Sequence, residues 1–329
     1  LMSATQSAGE PRWLAHYRAT GDGSPAIADF AEQVWAAIAE NMSPRQMAAT
    51  ATADVLAEVN ADADSISAIL LPAFSDWDRD RIESEFGENV LSLIDGLKRI
   101  RAIESLSDEG TAPGAQQLES LRKMLLAMAQ DMRVVLIKLA EQVSAMRLLT
   151  KAAASAQRQA ARLTINLYAP LANRLGVWQF KWELEDLAFR FLEPETYQQI
   201  VRLLDERRGD RESYIERVGT LLREAIDTEG LRADVHGRPK HIYSIYKKMQ
   251  EKSLAFDELH DVRALRVLTD DVRDCYTALG VVHNLWQPIP GEFDDYISQP
   301  KGNRYRSLHT AVRGPEGKPL EVQIRTHEM

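Results

Sequence analysis

Cysteine is almost absent from this chain. Cys275 is its one thiol in 329 residues, so neither a disulfide framework nor a cysteine-based metal cluster can form within it. Histidine is sparse as well, with seven in all and none between His16 and His236. A helical metal-dependent hydrolase needs imidazole and carboxylate ligands together, so the gap argues against metal hydrolysis there. No apolar run approaches the ~20 residues of a membrane span, and the N-terminus has no basic-then-apolar signal. The expected setting is therefore cytoplasmic, with no membrane partner. Glycine-rich phosphate cradles are missing too, since neither GxxxxGKS/T nor GxGxxG occurs. Any nucleotide would have to be held by side chains. Excess positive charge is also lacking, the net charge being −9, so there is no general field for nucleic acid, although a local basic patch is compatible with it. The chain opens on Leu1 and stops at Met329 just after a strand-like run, and reads as a fragment of something longer.

What is present is ordinary for a water-facing globular chain: 45% hydrophobic and 27% charged residues, with length for about two domains. From about Ile27 to Arg223 apolar residues recur at three and four, as in Phe30, Val34, Ala37 and Ile38, which predicts helix nearly throughout. Breaks are expected at Asn41–Pro44, Leu71–Pro72, Gly87 and across Ser107–Gly114. Ser43-Pro44 and Glu193-Pro194 read as helix starts. Trp35, Trp77, Met124, Met128 and Met146 sit at helix spacing and read as core. Near Leu231 the pattern changes. Alternation over Leu231–Val235, a turn at Gly237 and Pro239, a helix over 241–252, a strand over Val262–Leu268, a helix over Tyr276–Trp286 and a hairpin about Gly314–Pro319 predict a domain with a central sheet. The fold class expected is α+β. Helical residues 1–155 are followed by connecting helices over 156–195 and a mixed α/β nucleotidyltransferase-like domain over 196–329.

The segment Gly291–Thr310 concentrates chemistry. Glu292, Asp294 and Asp295 precede Lys301, Asn303, Arg304, Tyr305, Arg306, Ser307 and His309, and Pro300 and Gly302 punctuate it. Its apolar residues are too scattered for a helix stripe, so it reads as a loop. Cationic, amide, hydroxyl and imidazole groups around one tyrosine suit phosphates and a stacked base; a solvated, charge-mixed loop has the same composition. Two acids stand out by placement, Asp261 at the head of one strand and Glu321 in another. As neighbours on one face they would suit magnesium, and singly they read as surface acids. Lys240, Ser244 and Lys247 or Lys248 share a helix face, fit either for a polyphosphate or for solvent.

In this order the pieces resemble the RelA/SpoT family of guanosine tetra- and pentaphosphate synthetases. Gly237-Arg238-Pro239-Lys240-His241-Ile242-Tyr243-Ser244-Ile245 is similar to the family's ATP-side motif. Phe256–Arg266, containing His260-Asp261-Val262-Arg263, resembles its metal-binding strand. Asp274-Cys275-Tyr276 with Leu279-Gly280 and His283 resembles the helix that follows. Pro300-Lys301, Asn303, Tyr305, Ser307–Thr310 and Glu321–Thr326 complete the set, while Gly302, Arg304 and Arg306 depart from the usual loop. The helical half resembles the family's hydrolase domain, which in active members binds manganese through His, His-Asp and Asp. Here Leu70-Leu71-Pro72-Ala73 replaces Leu-Leu-His-Asp, and Glu141, Ser144 and Ala145 interrupt the second ligand motif. Glu292-Phe293-Asp294-Asp295 resembles the Glu-x-Asp-Asp of the synthetase-only branch, where it goes with preference for GTP over GDP; bifunctional relatives carry Arg-x-Lys-Asp.

The resemblance implies transfer of the β,γ-pyrophosphoryl group of ATP to the 3′-hydroxyl of GTP or GDP, with the hydrolase site inactive. It assigns Asp261 and Glu321 to magnesium, with Glu321 also activating the hydroxyl. Arg238, Lys240, Ser244 and Lys248 would hold ATP, with Arg266 as a further phosphate contact. Tyr305 would stack on guanine while Lys301, Asn303 and His309 orient the acceptor. Ribosome and uncharged transfer RNA would engage C-terminal regions beyond this fragment. A guanine-nucleotide-binding regulatory module without turnover is the rival reading. A nucleotidyltransferase acting on RNA is a further alternative that the net charge disfavours.

Overall fold

A computed structural model describes residues 11–21, 24–107, 119, 123, 131–206, 208–238, 241–252 and 263–329. Lys240 and Asp261, the core candidates Met124 and Met128, and the loop expected beyond Ser107 lie outside the described residues. The chain divides into two compact units, Leu1–Leu171 and Ala172–Met329. The stretch 156–195, expected to connect two domains, is thus itself divided, its first part packing with the first unit and its remainder with the second.

The first unit is helical: α1 (Arg12–Thr20), α2 (Pro25–Glu40), α3 (Pro44–Glu58), α4 (Ala63–Phe74), α5 (Arg79–Ser107), α6 (Met132–Leu148), α7 (Ala154–Leu163), then a π turn at Thr164–Tyr168 leading into α8 (Ala169–Leu175), which crosses the unit boundary. Their starts follow from local chemistry. Ser43 Oγ accepts from the Gln46 amide at 3.3 Å while Gln46 Oε1 accepts from the Ser43 amide at 2.9 Å, and Pro44 needs no bond at the first helical position. Asp62 and Asp131 cap α4 and α6 by accepting from the Ser65 and Arg133 amides at 2.9 and 2.8 Å. Gly87 breaks α5 at φ +87°, a conformation open to glycine.

The break expected at Leu71–Pro72 does not occur, because α4 runs through Pro72 to Phe74. Proline costs one backbone hydrogen bond there, but Ile66, Ile69, Leu70, Leu71 and Phe74 bury the helix on both sides of it. The Ser75 amide then closes the end on the Leu71 carbonyl at 3.0 Å. Packing of the apolar face outweighs the local signal. Met146 is fully buried. Trp77 is half-buried in a cluster with Phe30 and Phe86 at centroid distances of 5.9 and 5.8 Å. Trp35, expected in the core, is only half-buried.

The second unit holds α9 (Trp178–Leu192), α10 (Pro194–Glu206), α11 (Arg208–Thr228), β1 (Ala233–Gly237), α12 (Ile242–Lys252), β2 (Ala264–Thr269), α13 (Val272–Leu285), β3 (Gln287–Asp295), β4 (Leu308–Arg313) and β5 (Pro319–Thr326). The sheet order is β1-β2-β5-β4-β3. Only β2 and β5 run parallel. The two-residue side-chain period gives the sheet one apolar face, with Val235, Leu265, Val267, Val322, Ile324, Leu308 and Val312 buried among Val218, Leu222 and Ile226 of α11 and Cys275, Ala278 and Val282 of α13. Burying that face removes most of the sheet's apolar surface from water. A second cluster, Phe189, Ile200 and Ile245, ties α9, α10 and α12 together. Helical unit followed by mixed five-stranded sheet is the α+β class expected.

Gly291–Thr310 is less of a loop than its composition predicts. Gly291–Asp295 belong to β3 and Leu308–Thr310 to β4, leaving 296–307 between them. As an edge strand, β3 is exposed or half-exposed along its length, so it has no apolar alternation to read. Its register also shifts between Pro288 and Phe293, where Gly291 takes φ +81°.

Candidate active site

Strand pairing sets a row of polar residues across the sheet's second face. His236 pairs with Arg266, Arg266 with Gln323, Gln323 with His309, and His309 with Asp294. Paired residues share a face, so Glu321 and Arg325, two residues either side of Gln323, belong to it too. Glu321 is opposite Ala264 in the parallel pair, so β2 enters beside it.

Glu321 is the hub. Its Oε2 lies 3.9 Å from an Arg238 nitrogen, and its Oε1 lies 3.7 Å from His309 Nδ1 and accepts from Gln323 Nε2 at 2.9 Å. Burial pushes the His309 imidazole down to about 4, against the pull of Glu321 and with help from Arg238 and Lys301. His309 is therefore neutral near pH 7, and its Nε2 is 2.8 Å from the Tyr305 hydroxyl.

On one side of this row the unit forms an open cavity of about 790 Å³ lined by Trp178, Trp182, Arg190, His236, Arg238, His241, Arg266 and Arg325, among others. Burial, then the charges of Arg325 and Arg238, lower the pKa of Arg266. The Nε atoms of Arg266 and Arg325 are buried without a hydrogen-bond partner. Buried donors left unpaired beside like charges are costly, and an anion with several oxygens would satisfy them. The wall is aromatic. Trp182 stacks on His241 at 4.6 Å, and the Arg238 guanidinium is 5.8 Å from the Trp182 centroid. Asp186 of α9 fixes that wall: it accepts from the Tyr243 amide at 2.8 Å, capping α12, and lies 3.5 Å from His241 Nδ1.

On the other side is the loop 296–307. Tyr305 meets Trp178 edge-on at 5.0 Å and Tyr296 at 6.2 Å, and the Lys301 ammonium is 4.1 Å from the Tyr296 centroid. Asn303 is engaged at both ends of its amide, donating to the Asn173 carbonyl at 3.3 Å and accepting from the Tyr305 amide at 3.2 Å. The structure thus gives Asn303 a loop-holding place. Ser244 and Lys248 are half-buried on α12 and do not line the cavity, while Lys247 points to Glu251 at 3.6 Å. On β3, Glu292 is half-buried, Asp294 is exposed, and Asp295 accepts from the Tyr276 hydroxyl.

In the first unit, Pro72 and Ala73 lie half-buried in the last turn of α4. Ser144 is buried with its hydroxyl 2.9 Å from that of Thr52, joining α3 to α6. Glu141 pairs with Arg101 and, at 3.4 Å, with Lys138, and Ala145 is exposed.

Sequence reasoning brought Arg238, Arg266, His309, Tyr305 and Glu321 to one place and missed Trp178, Trp182, His236, Tyr296, Gln323 and Arg325. For Arg325 the signal was present: Glu321, Gln323 and Arg325 alternate along a strand. Trp178 and Trp182 are four apart on a helix, but nothing in that spacing separates a cavity wall from a core.

A helical unit precedes an α+β unit whose polar sheet face carries Arg266, Arg325, Gln323, His309 and Glu321. Comparison with known proteins gives this class its lineage. The HD domain family matches residues 23–178, and the region found in RelA / SpoT proteins matches residues 237–329. The chain is 48% identical over 281 residues to a GTP pyrophosphokinase of Photobacterium angustum and 47% identical over 280 residues to the GTP pyrophosphokinase of Escherichia coli; each alignment covers 84% of this chain and 38% of the relative. It is also 48% identical over 251 residues to a probable guanosine-3′,5′-bis(diphosphate) 3′-pyrophosphohydrolase of Synechocystis, covering 76% of this chain and 32% of the relative. The chain belongs to the RelA/SpoT family, and it spans well under half the length of these relatives. A likeness to the small alarmone synthetase 1 of Bacillus subtilis, solved with its product pppGpp, covers 40% of this chain and 77% of that one at 25% identity and TM-score 0.32; at that score it carries no argument.

Proposed function

We propose that the second unit transfers the β,γ-pyrophosphoryl group of ATP to the 3′-hydroxyl of GTP or GDP. The observation that supports this best is the position of Glu321 between a basic, aromatic-walled cavity and an aromatic loop, with Arg238 3.9 Å and neutral His309 3.7 Å away. The cavity is the donor side, where Arg238, Arg266 and Arg325 meet phosphates; Ser244 and Lys248, on α12 outside the cavity lining, and Lys240, outside the described residues, are assigned to the ATP phosphates by the family resemblance alone. The loop is the acceptor side, with Tyr305 against guanine, Lys301 and His309 toward the acceptor's ribose and phosphates, and Asn303 holding the loop. A ribose hydroxyl is a weak nucleophile and needs a base. Glu321 takes its proton, the 3′-oxygen bonds to the β-phosphorus, and the bond from that phosphorus to the bridging α,β-oxygen breaks, releasing AMP.

The carboxylate of Glu321 is a hard oxygen donor of the kind magnesium takes. With Asp261 it would hold the ion, which when bound neutralises phosphate charge. Glu292, Asp294 and Asp295 resemble the acidic motif of the synthetase-only branch, which supports a preference for GTP over GDP. Ribosome and transfer RNA are further partners to be sought.

One relative's name speaks for hydrolysis of a 3′-pyrophosphate. We assign no such activity to the first unit, because Pro72, Ala73, Ser144 and Ala145 offer neither imidazole nor carboxylate at the positions that resemble ligand sites, and Glu141 is ion-paired. Incubation with ATP, GTP and magnesium followed by separation of products tests the synthetase; formation of AMP and pppGpp is expected. Tight nucleotide binding without AMP release would establish the non-catalytic module instead.

A further inference from the structure

We infer that Asp295 is a positioning residue for the acceptor loop, acting through hydrogen bonds within the chain and not through its charge on a nucleotide. The inference rests on the acceptor reading of residues 296–307. Asp295 ends β3, and each of its acceptors takes a bond from a donor within the chain. Oδ1 accepts from the Ile297 amide at 3.0 Å and the Ser298 amide at 2.8 Å. Oδ2 accepts from the Tyr276 hydroxyl of α13 at 3.0 Å. Its carbonyl accepts from the Gln299 amide at 3.2 Å. Burial alone would raise the pKa of this carboxyl, but the bonds from Ser298, Tyr276 and Ile297 outweigh it and hold the group below the usual carboxylate range. The turn is also plugged from beneath, since Ile297 is 7% exposed and packs in the core behind the sheet.

The position of the turn decides the position of the site. Tyr296 leaves it to meet His309 edge-on at 5.3 Å and Tyr305 at 6.2 Å. A turn released from α13 would let Tyr296 move and with it the ring that faces the acceptor; a side chain held by few contacts loses orientation at little cost. Any effect of charge on acceptor choice then falls to Glu292 and Asp294.

Substitution separates the two roles. Asp295→Asn keeps an Oδ1 acceptor for both amides, and its side-chain N–H can donate to the Tyr276 hydroxyl, while the negative charge is removed. Asp295→Ala removes charge and bonds together. At saturating ATP, Asp295→Ala is expected to raise the acceptor KM about tenfold and Asp295→Asn less than about threefold, as for loss or retention of hydrogen bonds to a charged acceptor. The KM for ATP should stay level in both. Hydrogen exchange gives a readout independent of turnover: the Ile297 and Ser298 amides should exchange about tenfold faster or more in Asp295→Ala, little faster in Asp295→Asn, and to an intermediate degree in Tyr276→Phe, which loses one bond. Equal damage to acceptor KM by Asn and Ala would overturn the inference in favour of a direct charge role, as would unchanged exchange in Asp295→Ala. Wild-type protein that makes no product would remove the donor–acceptor reading, and the exchange contrast would still decide whether Asp295 holds the turn.

Discussion

Glu321 is where one atom pair can be tested most sharply, because its carboxylate is shared among Arg238, Gln323 and the neutral His309. Glu321→Gln keeps the shape and one acceptor while losing the base, so synthesis should fall by at least ~10²-fold; near-normal initial rates would remove Glu321 from the chemistry. Tyr305→Ala should weaken acceptor binding by about 1–3 kcal/mol if the ring stacks on guanine, measured by calorimetry with GTP against an unchanged ATP affinity. The burial of His309 sets a pH dependence. Its folded-state pKa of about 4 is below the ordinary 6.5, so the unfolded chain binds the extra proton first as pH falls. The stability that neutral His309 contributes is present above pH 6.5 and lost as pH falls toward 4. Denaturation midpoints should drop across that window less steeply in His309→Asn than in the wild type.

At the scale of elements, two pairs of helices are joined by polar contacts that composition does not reveal. Asp186 of α9 caps α12 across 57 residues of chain, and Asp186→Ala should cost about 1 kcal/mol of stability, read from chemical unfolding and partly restored by Asn. In the first unit the Thr52–Ser144 hydroxyl pair joins α3 to α6 with both groups buried. A Thr52→Val and Ser144→Ala cycle should return a coupling of about 1 kcal/mol; additive losses would mean that the pair does not hold these helices. The elements also show what periodicity can and cannot foretell. The starts at Ser43-Pro44 and Glu193-Pro194 and the hairpin at Gly314 were legible because caps and turns are local chemistry. The helix through Pro72 and the strand through Glu292–Asp295 were not, since the first depends on apolar partners from other helices and the second on having one neighbouring strand.

For the molecule as a whole, the two units carry opposite expectations. Purified chain should make AMP and a guanosine pentaphosphate from ATP and GTP, and should release no pyrophosphate from guanosine tetraphosphate in the presence of manganese. Release of pyrophosphate, abolished by no change in the second unit, would overturn the assignment of an inactive hydrolase. Family membership is shared with relatives of both names, so this assay and not similarity decides between them.

By itself the sequence determined the succession of a helical unit and a mixed α/β unit, the ordered motifs of the RelA/SpoT family, and the presence of neither imidazole nor carboxylate at Pro72, Ala73 and Ser144. These are legible because periodicity, turn chemistry and ligand type are properties of residues close together in the chain. Tertiary structure alone decided that Trp182, Arg238 and Arg325 bound one cavity, that half-buried Arg266 shares it, that Asn303 and Asp295 hydrogen-bond within the segment that carries Tyr305, and that burial holds the His309 imidazole neutral. Each of those depends on strand register or burial, which bring together groups as distant as Trp178 and Tyr305. The strength of a charge or a hydrogen bond is set by those neighbours and by the water they exclude.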